Sequence, residues 1–255
     1  MYPSFTIGES LRFGWRTMRA HSGLVFQVVL TLFALHVASQ LVGKVLAQTL
    51  TGTLASLVLF TLTVFVGFGA TIISLKLTRG EAAFYSDLLP PVRLTANYAL
   101  ASLLVIGAVL LPFLIALVVI GTVLFFFFHS VASQMVAGSV SVAALFASIG
   151  ASGVMFVSIV TVVAIAAAVH IALRYSMVRF SIIDGAGVVE SLHVSTKLMR
   201  GSYGHVLGFM VAAAGVVLLG FIALFVGILV AVPVVMIAYA HVYQRLSGHT
   251  VEVGA

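Results

Sequence analysis

The sequence predicts an all-α fold: an integral membrane helical bundle of about six transmembrane helices, with amphipathic helices lying at the cytoplasmic interface. Three observations predict it. Of the 255 residues, 62% are hydrophobic and 7% are charged, with a mean hydropathy of +1.28, where a soluble domain carries roughly 25% charged residues. The apolar residues gather in six stretches, each near the ~20 residues a helix needs to cross a hydrocarbon core of about 30 Å. The stretches are unbroken, whereas transmembrane strands would alternate over segments of about 10 residues. Helices satisfy every backbone hydrogen-bonding group inside lipid, so the stretches read as helical spans.

The first element, Thr6 to Arg19, is an amphipathic helix. Ile7, Leu11, Trp15 and Met18 form an apolar stripe, Arg12, Arg16 and Arg19 lie off it, and Thr6 with Glu9 has capping-box spacing. A Trp-bearing apolar face beside several Arg residues suits the membrane surface. The spans follow at about 23 to 43, 54 to 76, 97 to 120, 150 to 173, 204 to 221 and 226 to 244. The first is read as a retained span, because the run from Leu24 to Val42 lacks a small-residue cleavage site. The third runs on through Phe125, Phe126, Phe127 and Phe128, which implies a longer or tilted helix. The last two are divided near Gly220 to Gly227, since an unbroken helix over 204 to 244 would be about 60 Å long. Pro112 and Pro233 fall inside spans, a placement membrane helices tolerate.

Orientation follows from the charges, because Lys and Arg favour cytoplasmic loops. Arg12, Arg16, Arg19, Lys76, Arg79, Arg93, Arg174, Arg179, Lys197, Arg200 and Arg245 fall on one side, and of the twelve basic residues only Lys44 falls on the other. All six acidic residues, Glu9, Glu81, Asp87, Asp184, Glu190 and Glu252, share the basic side. Both termini are therefore expected in the cytoplasm, with the loops near 44 to 53, 129 to 149 and 221 to 226 outside.

A shift of 181 positions aligns the segment before span one with the segment before span five. Glu9, Ser10, Leu11, Met18, Arg19 and Gly23 meet Glu190, Ser191, Leu192, Met199, Arg200 and Gly204, six identities in fifteen positions, and Arg16 meets Lys197. The loop Gly80 to Leu94, with Phe84, Tyr85, Leu88 and Leu89 as an apolar face and Pro90 and Pro91 interrupting it, reads as a degenerate third copy. The chain is then a single membrane domain, 1 to 255, built of units at about 6 to 76, 80 to 174 and 184 to 246, each an interfacial helix followed by a helix pair.

Chemistry is sparse. There is no Cys, HExxH or GxSxG, and no ionised residue lies near the middle of a span. His36, His170 and His241 raise the question of a haem or metal, against which stands ordinary anchoring and interhelical hydrogen bonding. Gln27, Thr31, Ser39 and Gln40 are polar residues that could line a path or simply bond between helices. Gly204 and Gly208 have GxxxG spacing, and Ala166, Ala167 and Ala168 form a small-residue run. The net charge of +6 is explained by orientation, and loops this short leave no domain for nucleic acid. The candidate contacts are cytoplasmic: Arg79 with Glu81, and Arg174 or Arg179 with Asp184 and Glu190, joined by Arg12, Arg16, Arg19, Lys197 and Arg200. These residue types meet anionic lipid headgroups, at about 1 kcal/mol per basic residue near the surface, or a protein partner.

Two stretches, LKLTRGEAAFYSDLL (Leu75 to Leu89) and RYSMVRFSIIDGAGVVESLHVSTKLMRGSYGHVLGF (Arg174 to Phe209), resemble bacterial membrane proteins related to the membrane domain attached to some glycerophosphoryl diester phosphodiesterases. The opening IGESLRFGWRTMRAHSG and the ending VAVPVVMIAYAHVYQRL are similar as well. The resemblance implies a bacterial inner-membrane location and a fold, but no reaction, because in such enzymes the catalytic part is a separate soluble barrel. The expectation is a non-enzymatic protein with no cofactor and no catalytic or metal site. It would organise lipid, especially anionic lipid of the cytoplasmic leaflet, or serve as an accessory subunit bound to a membrane protein or to its own copies. The alternative is a small transporter or lipid-translocating protein, suggested by the repeats and the prolines within spans.

Overall fold

The computed structural model describes residues 5–45, 49–136, 142–222 and 226–248. Helix α1 (Ile7–Ala20) leads into α2 (Ser22–Val45) and α3 (Leu50–Thr78); a single 3₁₀ turn at Tyr85–Leu88 precedes α4 (Val92–Val136) and α5 (Val142–Arg174). Short α6 (Val178–Ile183) and α7 (Val188–Met199) then connect to α8 (Tyr203–Ile222) and α9 (Val226–Ser247). Six of the described helices are long and apolar enough to cross a membrane, and no strand occurs among the described residues. The chain is an all-α, multi-pass membrane protein. Glu252 and the tips of the three predicted outer loops, at 46–48, 137–141 and 223–225, lie outside the described residues.

Two compact units make up the chain, one of residues 1–102 with 175–255, the other of residues 103–174. The second consists of the greater part of α4 and all of α5. No Asp, Glu, Lys or Arg occurs between Arg93 and Arg174, so nothing ionised stops α4 at 120, and it runs on to Val136 through the four phenylalanines. Its 45 residues extend about 67 Å at 1.5 Å per residue, roughly twice the hydrocarbon thickness. Phe125 stacks on His129 one turn later, with ring centroids 6.3 Å apart.

The first unit is centred on α9, which packs against α1, α3 and α8, while α3 also meets α2, the 3₁₀ turn and α6. Inside lipid, apolar residues gain little by hiding from one another, so close backbone approach and polar contacts hold helices together. The α1–α9 contact shows this. Gly14 lies against the Val234 carbonyl and Ala238, where a Cβ would overlap. Gly220 of α8 and Gly227 of α9 face each other in the same way, on either side of the predicted break. An apolar cluster including Met18, Val25, Val28, Ile73, Leu77 and Ile237 fills one side of α9. On the other side, aromatic rings run from Phe5 through Phe209 and Tyr239 to Phe180 and Tyr243, with neighbouring centroids 4.9 to 6.5 Å apart.

The repeat acquires a physical basis in burial. Helix α1 buries Ser10, Gly14 and Met18, and α7 buries the aligned Ser191, Ser195 and Met199. Small, small and Met at four-residue intervals form the inward stripe of both helices. The apolar stripe read from the sequence is only partly covered, since Trp15 stays 46% exposed. The expected third copy is corrected: Gly80 to Leu94 holds one 3₁₀ turn and the first residues of α4, with no amphipathic helix of its own. Gly80, at a φ of 70°, ends α3 in the left-handed region. Pro90 and Pro91, lacking N–H donors, close the other side, and of the anticipated apolar face only Leu88 is buried.

Candidate functional site

The polar residues of the first unit gather in three knots, one joining α1 to α9, one joining α3, the end of α6 and α9, and one joining α3 to the 3₁₀ turn that follows it. Thr6 caps α1, its hydroxyl accepting from the Glu9 N–H at 3.3 Å and donating to Glu9 Oε2 at 3.4 Å. Glu9 then holds Arg245 at 2.9 Å, tying the start of α1 to the last turn of α9. One turn back along α9, His241 stacks on Phe13 at 4.3 Å between centroids. Arg245 Nε approaches its Nε2 at 3.5 Å, which makes that nitrogen the acceptor and leaves Nδ1 to donate to the buried Ser10 hydroxyl at 3.3 Å.

Asp184, just after α6, is the second knot. It accepts from Arg79 at the end of α3 at 2.6 Å and from the Tyr243 hydroxyl at 2.7 Å, and both charged side chains are about one-fifth exposed (21% and 23%). The third knot is Lys76, which donates to Asp87 at 2.7 Å, while the Phe84 N–H donates to the other carboxylate oxygen at 2.9 Å. Burial pushes the Asp87 carboxyl up, but the Lys76 hydrogen bond, the Phe84 N–H and the Lys76 charge together outweigh it and leave its pKa below the ordinary value.

The predicted contacts are therefore regrouped. Arg79 pairs with Asp184 rather than with its near neighbour Glu81. Glu81 borders a 330 Å³ hollow with Lys76, Arg79 and Asp87. Arg179 does not reach the acids; its guanidinium lies over the Tyr239 ring, 5.9 Å from the centroid. Glu190 accepts from the Gly187 N–H at 3.3 Å, capping α7. Asp184, Glu190, Lys197 and Arg200 do come together, around an 800 Å³ hollow that Tyr243 also lines. Arg12 and Arg16 flank a shallow hollow with Trp15 and Val216, and Arg19 is exposed in the last turn of α1. Arg174 ends α5 in the other unit.

Sequence reasoning did not find the Lys76–Asp87 and Glu9–Arg245 pairs or the role of Tyr243. Its one available signal was the four-residue spacing of His241 and Arg245, and of Tyr239 and Tyr243, along one helix. Nor did it find the lateral groove of about 450 Å³ between α2, α3 and α9. The groove wall is apolar except for His36 and Ser74, and the Ser74 hydroxyl is spent on the Ala70 carbonyl at 2.8 Å. Compared with protein-family models, with curated proteins and with solved structures, the chain shows no significant match.

Proposed function

We propose that this multi-pass membrane protein acts by binding and not by catalysis: it gathers anionic lipid at its basic end, and in doing so organises the surrounding lipid or seats itself as an accessory subunit in a membrane complex. One observation carries the reading. Glu9, Asp87 and Asp184 are engaged with Arg245, Lys76 and Arg79. Arg12, Arg16 and Arg19 are exposed on α1 beside the exposed Trp15 and make no ion pair among the described residues. A helix with an aromatic residue for the interface and uncompensated guanidiniums for phosphate is a surface for anionic lipid.

On this reading the basic end faces the cytoplasmic leaflet of a bacterial inner membrane, both termini lie in the cytoplasm, and the chain is related to the phosphodiesterase membrane domain. Three exposed Arg at about 1 kcal/mol each amount to about 3 kcal/mol, on the order of a hundredfold in affinity. The test is the lipid and protein content of the chain purified in mild detergent, compared with a variant in which Arg12, Arg16 and Arg19 are all Gln. Wild-type protein should retain anionic phospholipid that the variant loses. Recovery with neither enriched lipid nor a reproducible protein partner would refute the proposal.

A further inference from the structure

The groove between α2, α3 and α9 calls for an occupant. Its walls come from membrane-spanning helices, with Val25 and Leu32 on α2, Ala70 and Leu77 on α3, and Pro233 and Met236 on α9. With the Ser74 hydroxyl already bonded to Ala70, His36 alone offers a polar group, so a hydrated solute would find no partners along its length. A long apolar chain would. The volume lies inside the roughly 300–1,000 Å³ of ordinary ligand sites. Along α2 the lining runs from Val25 to His36, a rise of about 16 Å at 1.5 Å per residue, which is close to one leaflet of a hydrocarbon core about 30 Å thick.

The inner rim of the groove lies at the basic end. Met18, whose next residue is Arg19, packs in one cluster with the groove residues Val25, Val28, Ile73 and Leu77. His21 caps the turn between α1 and α2 and accepts the Val25 N–H at 3.0 Å. Its Nδ1 donates to the Thr17 carbonyl at 3.2 Å. Arg19 is exposed and makes no ion pair among the described residues, so an unneutralised cation directly follows a residue packed against the groove's apolar lining.

We infer that this groove is a built site for one acyl chain of an anionic glycerophospholipid of the basic-end leaflet, whose phosphate is met by Arg19. The inference rests on the lipid-binding reading above and deepens it, from a charged surface to a discrete site.

The experiment uses full-length protein in phosphatidylcholine vesicles carrying a trace of phospholipid with a photoreactive diazirine on one acyl chain, as either the phosphatidylglycerol or the phosphatidylcholine. After illumination, crosslinked peptides are mapped. The phosphatidylglycerol probe should label residues 25–36 and 228–237 in preference to the rest of the spans. Leu32→Trp, which fills the slot, should abolish that labelling, and Arg19→Gln, which leaves the slot intact, should reduce it roughly fivefold. Labelling spread evenly over all six spans would overturn the site. Equal groove labelling by both probes, unchanged in Arg19→Gln, would overturn the anionic occupant. The two readings fail separately: groove labelling specific to the anionic probe, in a protein that retains no anionic lipid on purification, would leave the site standing and remove the broader function.

Discussion

Asp184 shows how a single side chain can join distant parts of the chain. It takes Arg79 from the end of α3 and Tyr243 from α9, so one carboxylate fixes three elements at the polar end. Asp87 does a smaller version of this for the loop after α3, and it carries a pH signature. Its pKa in the folded protein lies below the ordinary value, about 3.9 for an unperturbed Asp. A depressed carboxylate contributes stability that is fully present above the unfolded value and is lost as pH falls through the folded one. Lys76 and Asp87 are partly solvated, with side chains 31% and 19% exposed, so the contribution should stay below about 1 kcal/mol. Unfolding midpoints of detergent-solubilised protein should therefore separate wild type from Asp87→Asn at pH 7 and converge as the pH is lowered through the carboxylate range. A gap that stays constant throughout that acid titration would assign the effect to something other than this ion pair. None of these partnerships was legible in the sequence, because each joins residues whose proximity depends on the packing of helices. The nearest neighbour in sequence, Glu81 for Arg79, is the wrong partner.

Among the helices, the amphipathic pair α1 and α7 was legible as a repeat, but its inward face was not. Periodicity pointed to the bulky stripe of Ile7, Leu11, Trp15 and Met18, whereas the buried stripe is Ser10, Gly14 and Met18. The physical reason is that a helix approaches another backbone most closely through its smallest residues, whatever its bulky face meets. Gly14 is the point of closest approach, against the Val234 carbonyl and Ala238. Gly14→Ala should push α1 off α9 and cost about 1–3 kcal/mol, the range for an overpacked contact, read as a lowered unfolding midpoint. Gly23→Ala, with open space around its Cβ position, serves as the control and should be neutral or slightly stabilising. Equal effects of the two would mean that α1 does not rest on α9 through this glycine. Gly220 and Gly227 apply the same device to α8 and α9, and here the sequence did mark the place, since glycines interrupt an otherwise continuous apolar run.

For the whole molecule, the sequence reached furthest. Six spans, their order and the break between the last two follow from apolar run lengths set against the thickness of a hydrocarbon layer, and the fold contains six such helices. The length of α4 was foreshadowed only by its phenylalanines. The groove between α2, α3 and α9 left no trace, because a void between three helices depends on how they pack together and not on any motif. What links the fold to the proposed lipid binding is the segregation of charge to one end, and the absence of cysteine makes that testable with single engineered thiols. In sealed, oriented vesicles, Arg12→Cys and Arg179→Cys should react with a membrane-impermeant maleimide from the same side and Lys44→Cys from the other; residues 12 and 179 reacting from opposite sides would contradict the six-span arrangement and the lipid site built on it.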